Sequence, residues 1–144
     1  MRISDVLRNK GTEVFTVQPD TTVRDFLAVM VERRIGACVL SADGTTVSGI
    51  VSERDIARAL HERGAGILAE PVSAIGTSEV HSCHPEESLD ELTRVMTERR
   101  VRHIPVLVDG QLAGLVSIGD VVKHRMNELE SERQALVDYI SSAG

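Results

Sequence analysis

Apolar positions along this chain fall into short blocks that occur twice. Val14 to Val17 is a β-rich run stopped by Pro19, and Thr22-x-x-Asp25 follows as a capping box that predicts a helix start. Behind it Val23, Phe26, Leu27, Met30 and Val31 recur at i, i+3, i+4, i+7 and i+8, the stripe of a helix facing a core. Ala37 to Leu40 and Val47 to Val51 flank an Asp43-Gly44 turn and predict a hairpin, and a second helix is expected from Glu53 to Arg63, closed by Gly64. The order then returns. Val80 to Cys83 ends at Pro85, Ser88-x-x-Glu91 opens a helix carrying Leu89, Leu92 and Met96, and Ile104 to Val108 and Leu112 to Val116 flank Asp109-Gly110. A last helix is expected from about Ile118 onward.

Val14 aligns with Val80, Pro19 with Pro85 and Met30 with Met96 at an offset of 66 residues, whereas Gly49 with Gly114 and Asp55 with Asp120 align at 65. The missing residue falls in the hairpin turn, where a change of length costs least. A unit of roughly 65 residues buries only about 60% of its unfolded surface and is marginal alone. The expectation is therefore an α/β (α+β) fold of two pseudo-symmetric β-α-β-β-α repeats packed sheet to sheet, residues 1–66 and 67–125, with residues 126–144 as a C-terminal helical extension. Val122, Met126, Leu129, Leu136, Val137 and Ile140 stripe that extension, interrupted by Arg133, so it either folds back on its own domain or covers a partner.

Composition narrows the partners. Only 2% of the 144 residues are aromatic, namely Phe15, Phe26 and Tyr139, too few to build a stacking platform for single-stranded nucleic acid. A formal charge of −6 disfavours duplex phosphate. No apolar run reaches membrane-spanning length, there is no signal core, and Cys38 and Cys83 lack disulfide or metal-ligand spacing, all of which points to a reduced cytoplasmic protein with no membrane contact. His81, Cys83 and His84 alternate along a strand, so they do not converge on a metal. Neither Ser52 nor Ser117 has a histidine at a related repeat position, and no catalytic residue set, hence no enzyme, is expected.

The paired motifs Gly49-x-x-Ser52-x-x-Asp55 and Gly114-x-x-Ser117-x-x-Asp120, with Thr16-Val17-x-Pro19-Asp20, Ser82-Cys83-x-Pro85-Glu86 and Arg102-His103-Ile104-Pro105-Val106, resemble those of the cystathionine β-synthase (CBS) domain pair, or Bateman module, of the stand-alone bacterial type. The resemblance implies two clefts that bind adenosine-containing ligands without transforming them, with no required cofactor. It implies ribose hydroxyls on Asp55 and Asp120, phosphate near Ser52 and Ser117, and ligand contacts at Gly49 and Gly114. It further implies a homodimer acting on an unidentified protein target. Physical chemistry agrees with the positions. A serine where a strand meets a helix places backbone N–H groups and the helix dipole toward an anion, and an acid three residues on can accept from a vicinal diol. The same Ser-x-x-Asp spacing is also a helix cap that needs no ligand.

Arg54 adds a cation beside the first phosphate position, where the second repeat has Gly119. Arg33, Arg34, Arg99 and Arg100 read as solvated helix ends complementing the dipole. With no aromatic ring nearby, a purine is expected between strand residues: Thr16, Val17, Ala37 and Cys38 in the first repeat, Ser82, Cys83, His103, Ile104 and Pro105 in the second. AMP or ATP is the expected ligand. NAD(H) or S-adenosylmethionine is the alternative, and a ligand-free scaffold or stress protein is a third reading.

Overall fold

A computed structural model describes residues 1–143. The chain runs α1 (Ile3–Lys10), β1 (Thr16–Val17), α2 (Val23–Arg33), β2 (Ala37–Leu40), β3 (Gly49–Ser52), α3 (Glu53–Arg63), two 3-10 turns (Ala65–Ala69 and Val72–Ala74), α4 (Leu89–Arg99), β4 (His103–Val108), β5 (Gln111–Ser117) and α5 (Ile118–Ala143). The expected α+β architecture of two repeats and a long terminal helix is what the chain adopts. In the first repeat β1 pairs parallel with β2, which pairs antiparallel with β3. In the second, β4 and β5 form the hairpin, and a single parallel bridge from Cys83 to Val106 stands where Val17 meets Leu40 in the first.

Local chemistry sets the element ends. Thr22 and Ser88 cap α2 and α4 by accepting from the amides of Asp25 and Glu91. Both helices end on an arginine in the left-handed conformation, Arg34 at φ 55° and Arg100 at φ 54°. Of the stripe on α2, Val23, Phe26 and Met30 are buried and Leu27 is half-buried, but Val31 points to solvent. It lies at the edge of the stripe, in the last turn, where no neighbouring element covers it.

The repeats exchange their entering segments. Ile3, Val6 and Leu7 of α1 pack in the second core with Cys83, Leu89, Leu92, Met96, Ile104, Val106, Val116 and Val121. Ile67 and Val72, which lead into the second repeat, pack in the first core with Val17, Phe26, Cys38, Val51 and Ile56. The backbone bonds repeat as well: the amides of Ile3 and Ser4 donate to the carbonyls of Glu87 and Pro85, as those of Val72 and Ser73 donate to Thr21 and Pro19. The glycine that opens each Gly-x-x-Ser-x-x-Asp motif serves this docking. A Cβ on Gly49 would stand 2.8 Å from the Thr77 carbonyl oxygen, and one on Gly114 would stand 2.6 Å from Leu7 Cδ2. These close approaches give the two residues a packing role.

α1 had no counterpart in the repeat pattern and was not among the expected elements. The C-terminal helix does not fold back: only Val121 and His124 of α5 are buried.

Candidate functional site

Each second hairpin strand ends in a serine that caps the following helix, and this places a carboxylate at the helix start. Ser52 N–H and Oγ donate to Asp55 Oδ2 at 2.9 and 3.1 Å, while the Asp55 amide donates back to Ser52 Oγ. Asp55 is buried, and its other oxygen, Oδ1, is paired with Arg58. A carboxylate offers about four acceptor positions, and three of Asp55's are filled. The Ser117–Asp120 pair copies the arrangement at 2.8 and 3.0 Å. The helix-cap reading of both motifs is therefore satisfied in full, and any ligand function has to be compatible with it.

The two sites differ in their third partner. Lys10, at the end of α1, donates to Asp120 Oδ2 at 2.6 Å and to the Leu115 carbonyl at 2.7 Å. In the first repeat the matching carbonyl, that of Ile50, accepts from the Thr77 amide instead. Burial pushes the Asp120 carboxyl up, but hydrogen bonds from Lys10 and Ser117 and the lysine charge outweigh it and hold it below the ordinary carboxylate range.

A cleft of about 530 Å³ opens at the start of α3, within the range usual for small-molecule sites. Ser52, Arg54 and Asp55 line it from the first repeat, and His103 from the second. Arg58, Arg99, Arg100 and Arg102 join Arg54 there, so five arginines face three carboxylates, Glu53, Asp55 and Glu79. A local excess of positive charge thus sits in a chain of charge −6. Arg99 and Arg100, read from the sequence as solvated helix ends, turn into this cleft. The αL residue Arg100 bends the chain from α4 toward β4, and that bend is invisible to helix periodicity. Burial depresses the His103 imidazole, helped by the Lys10 charge and opposed by Asp120 and Glu53.

The other expected residues lie elsewhere. Val17, Ala37 and Cys38 are buried, Thr16 is half-buried in β1, and none of the four lines this cleft. Ser82, Cys83 and Ile104 border a separate cavity of about 180 Å³ beside Ile3 of α1. Pro105 is buried in β4, where its carbonyl accepts from the Cys83 amide. Burial pushes the Cys38 thiol up to about 11 and the Cys83 thiol up to about 12. His81 lines the cleft, whereas His84 Nδ1 lies 3.1 Å from the Leu107 carbonyl, and among the described residues no group of His, Cys, Asp or Glu is placed to hold a metal ion. Among them, no helix is long and apolar enough to cross a membrane. The linker residues Thr77, Glu79 and Val80, absent from the expected set, also line the cleft, because Thr77 pairs with the edge of β3.

The CBS domain family model matches residues 3–62 and 72–127. The chain belongs to the CBS-domain family. Its two matched stretches are the two repeats, so the molecule is a CBS pair. It is 35% identical over 146 residues to the mitochondrial CBS domain-containing protein CBSX3 of Arabidopsis thaliana, covering 96% of this chain and 71% of that one. Among solved structures, the CBS-domain containing protein ATU1752 from Agrobacterium tumefaciens is 41% identical and superposes with a TM-score of 0.83, covering 87% of this chain and 99% of that one. The CBS domain protein PAE2072 from Pyrobaculum aerophilum, complexed with AMP, is 27% identical with a TM-score of 0.72, covering 83% and 89%.

Proposed function

We propose that this CBS pair is a non-catalytic regulatory sensor that binds an adenosine nucleotide, AMP or ATP, in the arginine-lined cleft at the start of α3. The observation that carries the reading is the conjunction in one cleft of a buried carboxylate, a helix N-terminus and five arginines. Asp55 accepts the ribose hydroxyls once Arg58 leaves Oδ1, and the released guanidinium then faces the phosphates with Arg54, Arg99, Arg100 and Arg102. Charge-assisted, bidentate contacts of this kind favour phosphate over a neutral group. The AMP complex of the PAE2072 relative supports the adenosyl class. At Asp120 the lysine of α1 already holds the carboxylate, so the reading is one ligand per chain at the α3 cleft. Output passes to a protein target through a shift in packing that requires unequal affinity for two conformations.

The arginine excess ranks a di- or triphosphate above S-adenosylmethionine, whose sulfonium is cationic. A thermal-shift panel of AMP, ADP, ATP, NAD, NADH and S-adenosylmethionine tests this. A site filled at 100 times its dissociation constant adds about 2.7 kcal/mol. Stabilisation by the adenine nucleotides is expected, and no shift with any of them overturns the sensor reading in favour of the scaffold.

A further inference from the structure

The face of α5 that points away from the body carries a heptad pattern. Val122, Met126, Leu129, Arg133, Leu136 and Ile140 follow one another at intervals of 4, 3, 4, 3 and 4 residues. On an α-helix that spacing makes one seam, about 27 Å long at about 1.5 Å per residue. The apolar members are 50 to 65% exposed, far more than the isolated exposed apolar residues any surface shows. The buried residues Val121 and His124 lie off this seam in the first turns of the helix, and Arg125, beside the seam, reaches Asp90 of α4. The seam is therefore free along its whole length, and from Leu129 onward every described residue of α5 is exposed, so the helix projects beyond the body.

We propose that this seam is one half of a parallel two-stranded coiled coil formed with a second copy of the chain. Three features select that occupant. Repetition of a 4-3 spacing fits a helix of the same repeat, and a globular groove imposes no such period. With the helices parallel and in register, Arg133 of each copy meets Arg133 of the other across the seam, and Glu132 of the second copy stands beside it to offset that repulsion. Within its own chain Arg133 makes a long i, i+3 pair with Glu130 Oε1 at 3.8 Å, with both side chains exposed. A single charged seam residue of this kind also favours two strands and fixes register. Antiparallel pairing centred on residue 131 would instead set Glu130 against Glu130 and Glu132 against Glu132. Finally, because α5 projects beyond the body from Leu129 onward, a second helix has room to lie along the exposed seam.

The test is sedimentation equilibrium of the full chain, with and without Leu129→Glu plus Leu136→Glu. The wild type is expected to dimerise with concentration, and the double variant to be monomeric with its thermal midpoint at low concentration unchanged, because both side chains are exposed. A wild type that stays monomeric, or a double variant that dimerises as before, overturns the proposal. Orientation is read from Leu136→Cys under mild oxidation. In-register parallel helices give a covalent dimer, and a non-covalent dimer that does not cross-link overturns the parallel arrangement. The native thiols do not interfere, since Cys38 and Cys83 are buried. None of these readouts depends on nucleotide binding.

Discussion

Replacing Asp55 by asparagine separates the ligand role of this residue from its role as a helix cap. The amide oxygen still accepts from Ser52 N–H and Oγ, now at 2.9 and 3.1 Å, so the start of α3 is retained. The Arg58 ion pair is lost, but the arginine side chain is 60% exposed, and such pairs contribute about 0–1 kcal/mol. The free protein should therefore lose little stability. Binding is affected more. A hydrogen bond to a charged acceptor is worth about 1.5–3 kcal/mol against about 0.5–1.5 for a neutral one. Two ribose hydroxyls on Asp55 then lose about 2 kcal/mol together, roughly a 30-fold weaker dissociation constant. Isothermal titration of AMP and ATP measures it directly. Asp120→Asn is the control: it disturbs the Lys10 pair while the amide oxygen keeps the cap of α5, and should leave affinity within about twofold. Wild-type affinity in Asp55→Asn refutes the assignment, and equal losses in the two variants refute the asymmetry between the sites.

Gly114→Ala should destabilise by about 1–3 kcal/mol through overpacking against Leu7, and Leu7→Ala in the same chain should recover part of that loss; independent, additive effects in thermal melts would contradict the docking geometry. The His103 pKa is held below its ordinary value, so the ring is neutral near pH 7; a bound phosphate raises it, and affinity should increase as pH falls from about 7.5 toward 6 with net proton uptake. Titration calorimetry in two buffers of different ionisation enthalpy checks this, and a proton count of zero counts against it. Asp120 titrates below the ordinary carboxylate range, so its contribution to stability is present above about pH 4 and disappears as pH falls through its folded value. Lys10→Met should therefore flatten the acid limb of the stability curve, and an unchanged limb in chemical denaturation rejects the pair. Arg54→Ala with Arg100→Ala should weaken ATP more than AMP, and equal losses would mean that neither arginine touches the outer phosphates.

Much of this molecule could be read from spacing alone. The two hairpins, the capped helices and both Ser–Asp pairs depend on residues close in sequence, and periodicity reports such contacts. The cleft was legible only in part. Ser52, Arg54, Asp55 and His103 were recognisable because they sit in the repeated motifs, whereas Arg58, Thr77, Glu79 and Val80 reach it through tertiary placement. Lys10 is the plainest case: its partner is 110 residues away, and nothing in the local sequence marks it. A weak signal did exist for α1, since Ile3, Val6 and Leu7 have helical spacing ahead of Gly11, but the helix has no copy in the repeat, where the matching segment forms a 3-10 turn. Arg99 and Arg100 show the opposite difficulty, a correct helix-end reading that concealed a second location.

The exchange of entering segments also bears on how the chain folds during synthesis. Ile3 and Leu89 exchange backbone bonds with Glu87 and Met1, and His124 Nδ1 comes within 3.0 Å of Met1 Sδ. During synthesis α1 therefore has no native surface to dock on until Glu87 and Leu89 have followed, and that surface is complete only with Val121. Until then Ile3, Val6 and Leu7 remain an apolar face in water, and the first repeat lacks Ile67 and Val72 until the linker emerges. Neither repeat completes its core from its own stretch of chain, so neither is expected to be stable without the other, and the contacts that fix α1 close long loops at a correspondingly high entropic cost.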